Sequence, residues 1–421
     1  MRLLIGDDVG QAKVIETSEG IDTTLPSSAR ATTTSFFPPS RTRPIQYALR
    51  VRYMGRDGLV AVLSKGGLLR IFDPSSSPSS PEILFSYTLQ VPAETNTVAL
   101  GTDSEHATLY AATAEGVVLF LDLTSGHERI VQVPGPISTF GASPDLTAVA
   151  TGGTGKDVEI YTCAAKGEWA SAWKARNVKL THLKLEVPVH PSQIHFLPAQ
   201  QGTWRMVVAT NYGHVRVYDT AVSRRPVFTA EPSKSAIKAM RIHPDSEIPD
   251  PALPLVATKG LEAEKACLAA DLMVVYANTS ATFSTYSLRE RREMGLFKGL
   301  DGTVNGISVD TDNGLVAGVG FGRYLAVYDA STRELKSRVF VKTAGCCVVV
   351  LDGEDEAVEE PEKRDEEEDV WEAMEEVKTA RQLEAEAAEE EGDRVINVRV
   401  KRKKDGVRQE AGKKPKISED Q

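Results

Sequence analysis

The residues with the clearest capacity for chemistry are basic. Lys174-Ala175-Arg176-Asn177-Val178-Lys179 follows Trp169 and Trp173 closely in the chain. An arginine fork and a lysine charge both suit phosphate oxygens, and an aromatic ring beside them can stack on a base. The same stretch has a second reading, in which the tryptophans pack inside the fold and the cations are merely solvated. Arg224-Arg225-Pro226 and Arg323 are further basic candidates.

Catalytic and metal-binding patterns fail on inspection. Ala150-Thr151-Gly152-Gly153-Thr154-Gly155-Lys156-Asp157 resembles a phosphate loop, but Ala150 stands where the first glycine is needed and Asp157 where a hydroxyl would hold magnesium. It reads as a hairpin turn, and Gly318-Val319-Gly320-Phe321-Gly322 reads the same way, since no helix follows to receive a phosphate. The seven histidines are scattered; His190 and His195 have Pro191 between them, and no metal spacing appears. The four cysteines include an adjacent pair, Cys346 and Cys347, whose side chains should point to opposite faces of a strand. All four are read as reduced, mostly packed thiols of an intracellular protein. No enzyme activity, cofactor, metal or small-molecule substrate is expected.

What positions the cations is a repeated phrase. An apolar strand ends in an aromatic followed by Asp, as in Leu68-Leu69-Arg70-Ile71-Phe72-Asp73, Val215-Arg216-Val217-Tyr218-Asp219 and Leu325-Ala326-Val327-Tyr328-Asp329. Val117 to Asp122 is a near copy, and looser ones close at Tyr161 and Tyr286. Strand, Gly-containing turn, strand and closing Asp, recurring every ~40–70 residues, predicts an all-β, WD-like β-propeller. Six strand ends (Phe72, Leu121, Tyr161, Tyr218, Tyr286 and Tyr328) mark six blades. A seventh is expected from the strands at Leu3–Gly6 and Ala12–Ile15, completed by Arg338–Lys342 and Cys346–Leu351, so that the two ends share a blade and leave no open sheet edge. Residues 23–44, 74–81 and 243–270 read as insertions, the last of them mobile.

The net charge of −10 is unevenly spread. Residues 1–351 hold 35 Lys+Arg against 34 Asp+Glu, residues 352–393 hold 4 against 21, and residues 394–421 hold 10 against 4. The expected organisation is therefore a neutral propeller over 1–351, an acidic tail over 352–393 and a basic tail over 394–421, the tail disordered or partly helical. Within the acidic part, Val370, Trp371, Met374 and Val377 would share one face of a short helix, which suits docking into a partner's groove. The alternative is a transient helix without a partner. Lys401-Arg402-Lys403-Lys404 and Lys413-Lys414-Pro415-Lys416 read as nuclear targeting or nucleic-acid contact, or as a solvated charged tail. No apolar run approaches the ~18 residues of a membrane span, and Met1 to Asp8 meets acid too early for a secretory signal.

Several phrases together are more specific than the blade repeat. Thr151-Gly152-Gly153 with Asp157-Val158-Glu159-Ile160-Tyr161, then Trp173-Lys174-Ala175-Arg176-Asn177-Val178 and Leu185-Glu186-Val187-Pro188-Val189, resemble the Nop-seven-associated WD-repeat ribosome biogenesis family. Phe196-Leu197-Pro198, Phe297-Lys298-Gly299-Leu300, Val339-Phe340-Val341-Lys342 and Asp369-Val370-Trp371-Glu372 fit the same family, although His190 stands where Trp is expected and Gly322 where Asp is expected. The resemblance implies a seven-bladed, non-enzymatic assembly factor of the large (60S) ribosomal subunit, in the nucleus and nucleolus. It implies a scaffold on pre-rRNA among ribosomal proteins and other assembly factors of the pre-ribosomal particle, later released by an AAA-type ATPase. A generic WD-repeat adaptor, either a ubiquitin-ligase substrate receptor or a chromatin reader, is the alternative. No membrane partner is expected.

Overall fold

The repeated phrase places three apolar strands side by side, and each group closes into one blade. The computed structural model describes residues 1–25, 30–163, 169–180, 183–256 and 268–353. Among them are 28 strands in seven four-stranded antiparallel sheets, with no helix. From the axis outward, blade 1 is Ile45–Tyr53, Arg56–Ser64, Leu68–Phe72 and Ile83–Thr88. Blade 2 runs from Thr97–Thr102 to Glu128–Gln132, and blade 3 is Thr139–Ala142, Ala148–Gly153, Lys156–Cys163 and Trp169–Lys174. Blade 4 is Pro191–Leu197, Arg205–Thr210, Val215–Asp219 and Phe228–Ala230; blade 5 runs from Ile237–Ile242 to Arg292–Leu296, and blade 6 from Val304–Asp310 to Leu335–Phe340. Blade 7 is Gly345–Asp352, Arg2–Asp7, Ala12–Glu16 and Thr32–Phe36.

The strands read as continuous apolar runs because both of their faces are covered. In blade 7, Leu3 and Ile5 face blade 6 while Leu4, between them, faces blade 1. Seven buried apolar clusters, each drawn from two neighbouring blades, fill the gaps around the ring. Seven blades with seven gaps is a closed circle, and closure removes the sheet edges that an open stack would present. Turn chemistry is equally demanding: Gly213, between two strands of blade 4, has φ +78°, and a Cβ there would lie 1.9 Å from the Ser233 carbonyl oxygen.

The ends do share a blade, but not with the strands expected. Only Gly345–Asp352 comes from the C-terminal side, pairing with Arg2–Asp7, whereas Arg338 and its neighbours are the outer strand of blade 6. The outer strand of blade 7 is Thr32–Phe36, inside the stretch read as an insertion. Its threonines face solvent, so the apolar alternation that marks a strand is missing there. The same stretch also straps blade 6: Arg338 N–H donates to Ile21 O (2.8 Å) and Thr23 N–H to Arg338 O (3.0 Å). The 243–270 insertion is pinned at its described ends rather than loose. Leu255 and Leu268 join the core between blades 4 and 5, and buried Arg205, paired with Asp219 at 3.0 Å, donates to Asp250 O and Leu253 O.

A buried polar clasp ties the ends together. Asp7, fully buried, accepts from Val9 N–H (3.1 Å) and Gln11 N–H (2.7 Å) and lies 3.0 Å from Lys13 Nζ. Lys13 also donates to Val341 O (3.1 Å) and to Thr343 Oγ1, and that hydroxyl donates to Asp7 Oδ2 (2.9 Å). Residues 330 positions apart are thereby joined through one charge pair. Cys347 is buried in the core between blades 7 and 1, whereas half-buried Cys346 lies outside that cluster, and both border the axial cavity.

Near the axis, His195 holds Met240 O at 2.8 Å through Nε2, which fixes Nε2 as the protonated nitrogen of a neutral ring. Burial, helped by the Arg241 charge, pushes its pKa down to about 4. An unfolded histidine binds a proton near pH 6.5, so the stability this site contributes is complete above 6.5 and lost as pH falls toward 4. The expected loss is at most about 3 kcal/mol by pH 4. Urea unfolding of wild type and His195→Gln at pH 7 and pH 4.5 checks this: the variant should lose less stability on acidification, and equal losses would assign the acid sensitivity elsewhere.

Candidate nucleic-acid interface

The basic loop begins where the outer strand of blade 3 ends. Lys174 pairs with Glu159 in the last register position of that strand, and the chain then turns onto the rim of blade 4. Ala175 N–H donates to Val158 O (2.8 Å), and Arg176 N–H donates to Arg224 O (2.7 Å). Arg224 Nε returns a bond to Lys174 O (2.7 Å), so two phrases fifty positions apart clamp each other. Blade 4 ends in a three-residue outer strand, Phe228–Ala230, and residues 174–178 meet the turn that precedes it.

Asn177 is the hub of this clamp. Its Nδ2 donates to Val187 O (2.6 Å), its Oδ1 accepts from Val178 N–H (2.8 Å) and Arg216 (3.4 Å), and its carbonyl accepts from Arg225 Nε (3.1 Å). Behind it, Arg216 is almost wholly buried and lies 3.8 Å from Asp157, whose Oδ1 accepts from Tyr218 O–H (3.0 Å). Burial, reinforced by that carboxylate, raises the Tyr218 pKa well above the usual phenol range, so the hydroxyl stays protonated and keeps donating. Asn177 and Arg225 are therefore committed to shaping the loop, a role that residue type alone could not reveal.

The cations left facing outward are Lys174, Arg176, Lys179 and Arg224, all exposed. Among the described residues, Lys174 alone of these four has an acidic neighbour, Glu159 at 3.8 Å. The tryptophans are not platforms for bases. Trp169 stacks on Phe120 with centroids 5.9 Å apart, and Trp173 meets Tyr218 edge-on, so both pack between blades as the second reading held. Beyond Lys179 the loop presents Leu180, Leu183 and Leu185, each more than half exposed. Three outward leucines beside four cations make a mixed surface of a kind used for protein as well as phosphate contact. In the sequence Leu185 belongs to the family phrase and Leu183 stands just before it; leucines in a stretch with no strand partner are the signal that could reveal this surface.

Arg323 is not part of this cluster. It sits in the hairpin of blade 6, beyond intervening blade 5, with φ +62° and its carbonyl accepting from Val341 N–H (2.8 Å). Its side chain is exposed beside Phe321, which is 65% exposed. The phosphate-loop look-alike is the hairpin between Ala148–Gly153 and Lys156–Cys163, as expected. Among the described residues no group of histidine, cysteine, aspartate or glutamate could hold a metal ion. The tail motif Val370, Trp371, Met374 and Val377 and the basic clusters from Lys401 and Lys413 lie outside the described residues.

Fold and repeat together define a WD-like seven-bladed β-propeller, here with a basic rim between blades 3 and 4. No protein-family model matches the chain. It is 26% identical to the ribosome biogenesis protein NSA1 of Yarrowia lipolytica over 93% of this chain and 98% of that protein. It is 23% identical to the nsa1 protein of Schizosaccharomyces pombe over 90% of this chain and 96% of that one. It is 29% identical to human WD repeat-containing protein 74 over 51% of this chain and 48% of the human protein. The chain is thus a homologue of the NSA1 and WD repeat-containing 74 proteins, the group that its phrases resemble.

Proposed function

We propose that this chain is an assembly factor for the large (60S) ribosomal subunit, acting in the nucleolus as a non-enzymatic scaffold on pre-rRNA and neighbouring assembly factors. The observation that carries the reading is end-to-end similarity to a protein named for ribosome biogenesis, covering 98% of that protein. Similarity of that extent takes in every blade and every blade-to-blade gap, not one shared repeat. The outward cations Lys174, Arg176, Lys179 and Arg224 supply a phosphate-binding surface, and Leu180, Leu183 and Leu185 a neighbouring protein contact. Affinity-tagged protein should recover precursor rRNA of the large subunit; recovery of mature rRNA alone, or of none, would remove the reading.

Release by an AAA-type ATPase forms the second half of the proposal, with the tail residues Val370, Trp371, Met374 and Val377 as the handle. Their i, i+1, i+4, i+7 spacing supports it. Trp371→Ala with Met374→Ala should weaken co-purification of that ATPase at least fivefold while the melting temperature of the propeller stays unchanged. Undiminished recovery of the ATPase would remove the tail from the release step.

A further inference from the structure

The axis of the ring holds a cation that no carboxylate among the described residues neutralises. Every blade is the same antiparallel meander, so the inner strands all run in one direction and their first residues gather at one end of the ring. A cavity of about 250 Å³ lies there, and its polar lining includes Gln46, Thr97, Gln193, Lys238, Arg241 and Asn305. These come from the inner strands of blades 1, 2, 4, 5 and 6, and Cys346 adds blade 7. No Asp or Glu is among the lining residues, whereas two cations are.

Arg241 is the more telling of the two. One of its terminal nitrogens donates to the carbonyl of adjacent Met240 (2.9 Å), its own chain neighbour. Burial is the largest influence on its pKa and lowers it, and the groups that act on it electrostatically are Tyr47, Tyr110 and Cys347 rather than a carboxylate. The nearest imidazole, His195, is neutral and cannot serve as a counter-charge. By contrast, the buried arginines of blade 4 both have acidic partners, Asp219 for Arg205 and Asp157 for Arg216. Arg241 is half-buried on the cavity wall, and a guanidinium held there without a carboxylate leaves its charge available to an incoming anion.

We propose that the axial cavity is a receptor for a carboxylate side chain on an acidic peptide of a partner protein, with Arg241 as the fork, Lys238 as the second cation and the Gln46, Gln193 and Asn305 amides as flanking partners. A peptide fits better than RNA for two reasons. The site is a cavity of about 250 Å³ walled by inner strands, a size that suits a side chain rather than a run of nucleotides. Gln193 and Asn305 each donate one amide hydrogen to a backbone carbonyl, Lys238 O at 3.4 Å and Gly345 O at 3.1 Å, and keep a second donor and an oxygen that match a peptide backbone, while the row of exposed cations Lys174, Arg176 and Lys179 that could follow a phosphate chain lies on the rim.

Isothermal titration of the full chain with hexaglutamate, and separately with hexauridylate and inorganic phosphate, tests this. Hexaglutamate should bind wild type, and Arg241→Met should lower that affinity at least tenfold while the Lys174, Arg176 and Lys179 rim variants leave it unchanged. Arg241→Lys, which keeps the charge but loses the fork, should fall between. Arg241→Met should melt no lower than wild type, because the substitution removes a half-buried charge that has no carboxylate partner among the described residues; should it nevertheless fail to fold, Arg241→Lys carries the comparison. Hexaglutamate binding that ignores Arg241, or none at all, would overturn the proposal. So would Arg241-dependent binding of hexauridylate or phosphate without hexaglutamate.

Discussion

Asp7→Ala should lower the unfolding free energy of the propeller by about 3–5 kcal/mol. The substitution leaves the Lys13 ammonium, 5% exposed, without its counter-charge, and the N–H groups of Val9 and Gln11 without their acceptor. A buried charge stripped of its partner costs far more than the pair contributes when intact, since desolvation is then uncompensated. The double variant Asp7→Leu with Lys13→Met should therefore recover most of the loss, because it removes both charges at once. The site matters for the whole ring because Lys13 and Asp7 also hold Val341 and Thr343, at the entry to the strand that closes it. Urea denaturation of the three proteins measures this; a single-variant loss below about 1 kcal/mol would mean that the clasp contributes little to closure.

The other large effect concerns the rim. Changing Lys174, Arg176 and Lys179 together to Glu should weaken binding to single-stranded pre-rRNA fragments at least tenfold, about 1.4 kcal/mol. It should also flatten the dependence of log K on log salt by about two to three units, roughly one for each lost phosphate contact. These side chains are exposed, and the loop is held by backbone N–H bonds from Ala175 and Arg176 and by the Arg224 side chain on Lys174 O, so the fold should survive the change. Asn177→Ala distinguishes charge from shape: it keeps every outward cation but removes the bonds to Val187 and Arg216. An unchanged salt slope in the triple variant would mean that these cations do not meet phosphate.

Much of this architecture was legible because middle strands are buried on both faces. Val117 to Asp122 and Leu325 to Asp329 carry unbroken apolar runs for that reason, and their closing Leu121-Asp122 and Tyr328-Asp329 each mark one blade correctly. Outer strands touch the core on one side only, so Thr32–Phe36 had no pattern to read and passed for a loop. Assigning Arg338–Lys342 to the shared blade failed for a different cause: strand pattern says that a segment is extended but not which sheet it joins. At the site, the cations were visible as residue types. That Asn177 and Arg225 face inward, and that Arg224 caps Lys174, depends on contacts between blades 3 and 4 that no local spacing encodes. The role of Arg241 is not legible in the sequence, because a single arginine in a strand is unremarkable until inner strands from six blades line one cavity with it.

Gradient sedimentation of a tagged copy from cell lysate, with RNA and protein identified across the fractions, tests the central claim most directly. Co-migration with large-subunit precursor RNA, and absence from mature ribosomes, is the predicted result. A peak confined to light, RNA-free fractions would contradict it and point to an adaptor acting away from ribosome assembly.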